Sequence, residues 1–319
     1  MYHPFRWLLS RRTKEPKLKT IRELAGDLEV SRLFADGGDE GTLHFDVREL
    51  CSEDASSKLF KYYSAEGVHY ALETLGIFKL IEAHGFRDFK VEITGDVWSQ
   101  LLRIWGQASG RPLLVVEGCF RRSSWTVPAE MPLLKSACGN HAFNVAFIDW
   151  MILQNPLADF TPERPRLPGQ KYPGLGIFNE VMEVFYAVAR RLHLDALLLI
   201  VDHFHNAVIY KPSFFFVDPR RQAELVAIER AGAGRSLQDM ALALEAGLLY
   251  QDGRSEPYAW HGALMINPLA SEIQGAHQRC GYAEKVEEMS RGLKFEFDWP
   301  AFDARRATLG GEILEEGPV

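Results

Sequence analysis

The stretch Leu167-Pro-Gly-Gln-Lys-Tyr-Pro-Gly-Leu-Gly176 decides the fold, because it places a glycine-bearing turn directly before a helical pattern. That pattern covers residues 177–192 and leads into the apolar run Ala196-Leu-Leu-Leu-Ile-Val201. A run that is apolar at every position is typical of a strand buried on both faces of a sheet. The polar residues 202–213 and the aromatic run Phe214-Phe-Phe216 follow. This order predicts an α/β core in which polar side chains come together at the end of a buried strand.

The segments upstream of this stretch predict further elements. Apolar residues recur at helical spacing over residues 57–84, which indicates two helices broken near Gly67 or Gly76. Asp96 is predicted to cap a helix that extends to residue 108. The other elements expected in this part are a short helix at 21–28, strands at 42–47, 89–93, 113–120 and 142–154, and a loop at 121–139.

The segment beyond residue 219 has a different character. Its periodicity predicts helices at 220–231, 237–249 and 282–293, a strand or short helix at 258–266, and an alternating edge strand at 295–299. The chain is therefore divided into an N-terminal arm and linker (1–43), a helical segment packed on the core (44–85), the α/β core (86–219) and a mostly helical C-terminal extension (220–319).

The composition restricts the classes of partner and the compartment. The 319 residues carry a formal net charge of -7, so the protein as a whole has no basic field for nucleic acid. No run approaches the ~20 apolar residues that a membrane span requires. The four cysteines are widely separated, without the spacing of a zinc site or a disulfide-rich domain. We therefore expect a soluble, cytoplasmic protein that binds neither nucleic acid nor a membrane.

The glycines of the central loop are suited to an anionic ligand. Gly174 and Gly176 allow the backbone to approach a ligand closely. The first turn of the following helix has unpaired amides and the positive end of the helix dipole, which together attract anions. A phosphate or pyrophosphate is the expected ligand, and the alternative is a tight turn without any ligand.

This loop resembles the cofactor loop of the acetyl-CoA-dependent N-acyltransferases of the GNAT superfamily. The family pattern is Gln/Arg-x-x-Gly-x-Gly/Ala, in which Lys171, Gly174 and Gly176 occupy the three defined positions. Lys171 stands in place of the usual Gln or Arg, and Gln170 lies one position away.

A second pattern of the same superfamily follows the buried strand. The family has an Asn, a nearby Ala and then a Tyr before an aromatic strand, and the residues that resemble it are Asn206, Ala207, Tyr210 and Phe215. The resemblance covers roughly residues 86–219. It implies a mixed sheet, splayed in a V and flanked by helices.

The resemblance implies an acyl-CoA-dependent N-acyltransferase. Acetyl-CoA or another acyl-CoA is the expected cosubstrate, and a small-molecule or peptide amine is the expected acceptor. Tyr210 is expected to protonate the leaving thiolate, while Glu117 or Asp149 accepts the proton of the amine. The residues expected to bind the cofactor are Gln170, Lys171, Gly174, Leu175, Gly176 and Asn206.

Three alternatives remain open at the level of the sequence. The first is a catalytically inactive module that keeps the fold and binds a ligand or has a regulatory role. The second is a metal-dependent hydrolase built on Asp202, His203 and His205, because alternate residues of a strand share a face and histidine is a common metal ligand. The third concerns assembly, since the alternating residues 295–299 can pair with a second subunit and form a homodimer.

Overall fold

The computed structural model describes residues 21–26, 28–33, 57–96 and 98–315. Within this part of the chain a seven-stranded mixed sheet is flanked by helices, which confirms the α/β class expected from the sequence. The strand predicted at 42–47 lies outside the described residues. No helix that the structure describes is both long and apolar enough to cross a membrane.

Seven strands form the main sheet and two form a separate pair. In chain order they are β1 (Arg87–Gly95), β2 (Gln100–Ala108), β3 (Arg111–Thr126), β4 (Ala142–Leu153), β5 (Ala196–Val201), β6 (Phe215–Phe216), β7 (Leu249–Gln251), β8 (Ala263–Pro268) and β9 (Phe295–Phe297). The order in the main sheet is β1-β2-β3-β4-β5-β8-β6, and β7 pairs with β9. Neighbours in the main sheet are antiparallel, except that β4 and β5 are parallel.

Helices connect and cover these strands. They are α1 (Ile21–Gly26), α2 (Ala65–Thr74), α3 (Ile77–Glu82), α4 (Pro132–Cys138), α5 (Phe178–Arg191), α6 (Phe204–Tyr210), α7 (Pro219–Ala231), α8 (Leu237–Glu245), α9 (Ser271–Arg279), α10 (Tyr282–Gly292) and α11 (Trp299–Glu315), with a 3-10 turn at Val30–Leu33. The parallel pair is joined by α5, as a crossover between parallel strands requires.

The main sheet separates two hydrophobic clusters. The larger cluster contains Leu199 of β5 together with buried side chains of α2, α3, α5, α6 and α8. The smaller cluster lies on the other face, where Leu198 packs with Leu134 of α4 and Ile273 of α9. Neighbouring residues of β5 belong to different clusters because side chains alternate between the faces of a strand.

The parallel pairing of β4 and β5 is short. It extends over four residue pairs, from Val145 opposite Ala196 to Ile148 opposite Leu199. Both strands continue beyond these pairs, where β4 remains paired with β3 and β5 with β8. The carboxyl ends of the two strands therefore diverge and leave an opening in the sheet, which we call the β4–β5 cleft.

A bulge in β4 lies where the two strands separate. Ile148 is opposite Phe120 of β3, whereas Trp150 is opposite the preceding residue Cys119, so Asp149 is an extra residue in the ladder. A bulge bends the strand that carries it and increases its twist. The bend at Asp149 thus accounts for the end of the β4–β5 pairing at the previous residue.

The helix predicted over residues 96–108 is wrong, because this segment forms a hairpin turn and strand β2. The side chain of Asp96 accepts hydrogen bonds from the amides of Trp98 and Ser99, both at 2.8 Å. The amide of Asp96 donates in turn to the carbonyl of Ser99 at 3.0 Å. The aspartate therefore closes a tight turn between β1 and β2 instead of beginning a helix.

Other expectations are confirmed in part. The helical segment at 57–84 breaks at Gly76, which has φ +77° at the start of α3. The helix at 177–192 and the strand at 196–201 are confirmed as α5 and β5. Within the predicted loop at 121–139, β3 continues to residue 126 and α4 follows.

The C-terminal extension contributes to both sheets. Strand β8 lies between β5 and β6, so the main sheet does not end at residue 219. The helix predicted over 237–249 is shorter than expected, because α8 ends at Glu245 and Leu249 begins β7. The edge strand at 295–299 is confirmed as β9, and its partner β7 belongs to the same chain.

Candidate functional site

The β4–β5 cleft exposes apolar side chains. Trp150 and Ile152 of β4 are each 42% exposed, and Ile200 of β5 is 50% exposed. Trp150 is paired with Cys119 of β3. Cys119 lies two residues from Arg121, which is paired with Phe147 of the smaller cluster. Because residues two apart share a face of a strand, Trp150 lies on the face of the smaller cluster. Ile152 and Ile200 alternate onto the same face. The two helices of the smaller cluster thus leave this end of the sheet uncovered, and its apolar rim is available to a ligand.

The glycine loop begins along the edge of β4. The amide of Asn155 donates to the carbonyl of Pro173 at 2.7 Å, and the amide of Leu175 donates to the carbonyl of Leu153 at 3.2 Å. Gly174 is bridged to Gln154 between these two bonds. The amide of Leu175, expected to bind the cofactor, is therefore used within the protein, and the loop closes the far end of the cleft.

The first turn of α5 follows the loop without a capping side chain. Ile177 occupies the cap position, and no side-chain hydrogen bond reaches the amides of the first turn. Gly176 has φ +73°, a conformation that favours glycine and turns the chain into the helix. The guanidinium of Arg164 lies near this point, since its nitrogen is 3.9 Å from the position of a Cβ on Gly176. Free amides and a cation thus share one end of the helix, an arrangement that suits an anion.

The two other loop residues expected to bind the cofactor have different positions. Gln170 closes a turn of the loop itself, because its side-chain oxygen accepts from the amide of Leu167 at 3.1 Å and its carbonyl accepts from Arg166 at 2.7 Å. Lys171 is exposed, with its ammonium 5.6 Å from the ring centroid of Tyr172. Lys171 therefore remains available to a ligand, whereas the side-chain oxygen of Gln170 supports the loop.

Asn206 and Tyr210 lie on α6, which directly follows β5. They are four residues apart and therefore share one face of the helix. The ring of Tyr210 packs against that of Phe178, the first residue of α5, with centroids 5.3 Å apart. The structure thus brings Tyr210 to the helix start beside the glycine loop. Burial raises the pKa of Tyr210, so its phenol keeps its proton near neutral pH.

The two carboxylates expected to act as bases are both held by arginines. Glu117 accepts a hydrogen bond from Arg103 at 2.7 Å, and Asp149 accepts one from Arg121 at 3.0 Å. Asp149 lies in the bulge at the start of the cleft, whereas Glu117 is opposite Ile152 on β3. The carboxylate oxygens of both residues are therefore engaged in ion pairs within the sheet.

The two histidines after β5 stack on each other, and the first of them contacts a glutamate of α8. His203 Nδ1 lies 3.1 Å from Glu245 Oε1, and the rings of His203 and His205 are stacked at 5.2 Å. The hydrogen bond to Glu245 raises the pKa of His203, whereas burial lowers the pKa of His205 to about 4. Asp202 Oδ1 lies beside Gly262, and its charge also acts on His203.

The hypothesis of a metal site receives no support from these positions. His205 lies within helix α6, so the strand alternation on which the hypothesis depended ends at residue 202. Among the residues that the structure describes, no group of three or more His, Cys, Asp and Glu side chains has an arrangement that could hold a metal ion.

Two functional candidates were not found by sequence reasoning. Arg164 lies in a proline-rich loop without any motif, and only the folded loop brings it to the start of α5. Glu245 is 42 residues from His203 along the chain. A contact at this separation carries no local signal, although the residue types His and Glu are those of proton-transfer pairs.

Two pockets lie away from this site. One of about 590 Å³ is lined by α7, β7 and the segment that leads into β9. The other, of about 500 Å³, lies at the opposite end of α5 and includes Arg190 and Asp195. We place the candidate site at the cleft, because the loop bonded to the end of β4 leads into the free amides of α5, and Tyr210 packs against the first residue of that helix.

Comparison with known proteins adds no identification. No protein-family model matches the chain, and no curated protein has significant sequence similarity to it.

Proposed function

We propose that the protein transfers an acyl group from an acyl-CoA to the amine of a small molecule or peptide. The observation that carries the proposal is the divergence of β4 and β5 after Ile148 and Leu199, which opens a cleft that ends at the loop leading into α5. The proposal retains the likeness to the GNAT acyltransferases that the loop and helix residues suggest. Each part of a thioester cofactor has a chemically matching surface at this cleft.

The phosphate groups match the start of α5. The first-turn amides of α5 lack a capping side chain, and the Arg164 guanidinium forms no hydrogen bond or ion pair within the described residues. A pyrophosphate would accept hydrogen bonds from both, and such charge-assisted bonds are stronger than neutral ones. Gly176 lies at the same end of the helix, and Lys171 is an exposed cation of the same loop. The bound amide of Leu175 makes no contribution in this scheme, which differs from the role expected from the sequence.

The pantetheine arm matches the cleft. Between Asp149 and Ile152, β4 has no partner strand on the side of β5. An extended chain with amide groups can pair with an open strand edge in the way that peptides extend a sheet. The arm would then bring its sulfur towards Asn206 and Tyr210, which are one turn apart on the same face of α6.

The phenol of Tyr210 matches the leaving group. When the bond between the carbonyl carbon and sulfur breaks, the thiolate needs a proton, and a protonated phenol within hydrogen-bond reach can supply it. No hydrogen bond of the Tyr210 hydroxyl is found within the described residues, so the group is not committed to another partner. The raised pKa of Tyr210 keeps the proton available.

The apolar rim indicates the size of the acyl group or acceptor. Trp150, Ile152 and Ile200 remain exposed where the strands diverge. Burying such side chains against an apolar ligand stabilises a complex by roughly 25 cal/mol per Å². We therefore propose that one of the two substrates has an apolar part larger than an acetyl group.

Calorimetric titration with CoA and a series of acyl-CoAs tests this function. We expect the wild-type protein to bind CoA, and Arg164→Ala to weaken binding by about tenfold through the loss of a charge-assisted contact. Arg111→Ala is the matched control, because this exposed arginine is the first residue of β3, directly after the turn from β2. Equal weakening in both variants would indicate a general electrostatic effect, and the absence of any binding by the wild type would contradict the proposal.

Thiol release in the presence of amines separates the enzyme from the inactive module. An acyltransferase releases CoA from an acyl-CoA at a rate that depends on the amine. Binding of CoA without thiol release for any primary amine or amino-terminal peptide would favour the catalytically inactive module, which is the second function compatible with this cleft.

A further inference from the structure

We propose that His203 and Glu245 form the proton-accepting dyad of the site, with His203 Nε2 taking the proton that the acceptor amine loses. This inference rests on the acyl transfer proposed above. It replaces Glu117 and Asp149 in the role of the base.

The geometry of the dyad fixes which ring nitrogen is free. His203 Nδ1 lies 3.1 Å from Glu245 Oε1. A carboxylate accepts hydrogen bonds, so Nδ1 carries the proton and Nε2 holds a lone pair when the ring is neutral. A base whose second nitrogen is oriented by a carboxylate is the arrangement that activates histidine in many transfer enzymes.

Gly169 leaves the free nitrogen accessible. A Cβ at this position would lie 3.2 Å from His203 Nε2, so any side chain would cover the nitrogen. Gly169 has φ +74°, which glycine adopts without strain. The side chain of His203 is 37% exposed, and a small polar group can therefore reach the ring.

The dyad lies at the same end of the sheet as the cleft. His203 is two residues beyond Val201, the last residue of β5. Asn206 and Tyr210 are four residues apart on one face of α6, and His203 is the residue directly before this helix. Gly169, which borders His203 Nε2, belongs to the loop that bonds to the end of β4 and leads into α5. In this proposal the dyad acts on the acceptor amine and Tyr210 on the thiolate, either in direct contact with substrate or through one water.

The two sides of the reaction balance. The amine nitrogen attacks the carbonyl carbon of the thioester, and the C–N bond forms as the C–S bond breaks. The proton lost by the nitrogen goes to His203 Nε2, and the thiolate takes the proton of Tyr210. Solvent then carries the proton of His203 to the phenolate, so the sum is a thioester and an amine giving an amide and a thiol.

Titration of His203 gives the dyad a signature in pH. The charged and titratable groups that face it are Glu245 from α8, His205 from α6 and Asp202 at the end of β5. The hydrogen bond that His203 donates to Glu245 is the largest influence and raises the pKa of His203. Because the base must be unprotonated, kcat/KM falls as the pH decreases through this pKa.

Thiol release measured across pH tests the dyad. We expect Glu245→Gln to move the acidic limb of kcat/KM to lower pH, because the charge that raises the pKa of His203 is lost. We expect His203→Gln to lower the rate by about 10²–10⁴-fold while CoA binding persists. No side-chain cap of α6 is lost in that variant, since His203 makes none. Glu287→Gln is the control, because this carboxylate pairs with Arg291 on α10.

The outcomes separate the two proposals. Turnover by the wild type with an unchanged rate and pH profile in His203→Gln would overturn the dyad and leave the acyl transfer in place. A wild-type protein that releases no thiol with any amine overturns both. Nuclear magnetic resonance of labelled histidine gives a readout without turnover, in which the signal missing from His203→Gln must titrate at lower pH in Glu245→Gln.

Discussion

No hydrogen bond to the hydroxyl of the half-buried Tyr210 is found within the described residues. Its ring is held by Phe178 at 5.3 Å and by Phe214 at 6.1 Å. The ring therefore packs independently of the hydroxyl. A substitution that removes only the oxygen should leave the packing of α5 and α6 intact.

Tyr210→Phe should lower the rate of amine-dependent thiol release by about 10²–10⁴-fold, since the thiolate would leave without a proton donor. CoA affinity should stay within about twofold of the wild type, because the cofactor contacts proposed for α5 and the cleft are unchanged. Rates and affinities are measured by thiol release and calorimetry. A variant with wild-type turnover would show that another group protonates the thiolate.

His205 gives a prediction about stability and pH. Burial lowers its pKa in the folded protein to about 4, whereas the unfolded chain takes up this proton near pH 6.5. The unfolded state therefore binds the proton first, and stability decreases as the pH falls from 6.5 to 4, by about 3 kcal/mol when the shift is fully expressed. His205→Gln should remove this part of the decrease, as measured by urea unfolding at pH 7 and pH 4. Equal decreases in both proteins would contradict the assignment.

Local sequence patterns located some of these residues but not their partners. The order of loop, helix and strand predicted that Tyr210 and the glycine loop would be near each other, and the Tyr210–Phe178 contact brings them together. The pattern could not predict that the amide of Leu175 bonds to Leu153, because that depends on how the loop 154–177 folds back along β4. The contact of His203 with Glu245 also depends on tertiary structure, so a local sequence pattern could not predict it.

Helices and strands were predicted correctly where the apolar residues of the segment followed one clear pattern. Helix α5 and strand β5 have unambiguous patterns, and both were confirmed. Strand β2 was mistaken for a helix because Asp96 accepts from the amides two and three residues ahead, and an N-cap uses the same bonds. Buried residues alternate along β2, but its apolar residues also fall at helical spacing in the sequence. The choice between the two structures depends on pairing with β1 and β3.

The packing of α2 on the 3-10 turn at Val30–Leu33 gives a prediction about stability. A Cβ on Gly67 would overlap the carbonyl of Leu33, and the backbone cannot move aside as a flexible side chain can. Gly67→Ala should therefore destabilise the protein by about 1–3 kcal/mol, although alanine normally favours a helix.

Gly292→Ala is the matched substitution, since nothing lies within 4 Å of the added methyl at the end of α10. It should be neutral or stabilise the protein by about 0.5 kcal/mol. Urea unfolding of the two variants gives the comparison. A Gly67→Ala variant as stable as Gly292→Ala would show that the turn at Leu33 does not pack against α2 as described.

The whole molecule is organised by one parallel strand pair in an otherwise antiparallel sheet, among the strands that the structure describes. The bulge at Asp149 ends that pair, and the loop that leads into α5 bonds to the end of β4 at Leu153. Sequence reasoning predicted the mixed α/β class. It did not predict that β8, more than 60 residues after β5, completes the sheet beside it. Pairing at this separation depends on the global fold rather than on local pattern.

The central claim is that the β4–β5 cleft and the start of α5 bind an acyl-CoA. Hydrogen exchange by mass spectrometry, with and without saturating CoA, tests it most directly because it also locates the binding surface. We predict slower exchange in peptides covering residues 149–153, 176–181 and 203–210. Protection confined to the pocket between α7 and β9, or no protection at saturating CoA, would contradict the account.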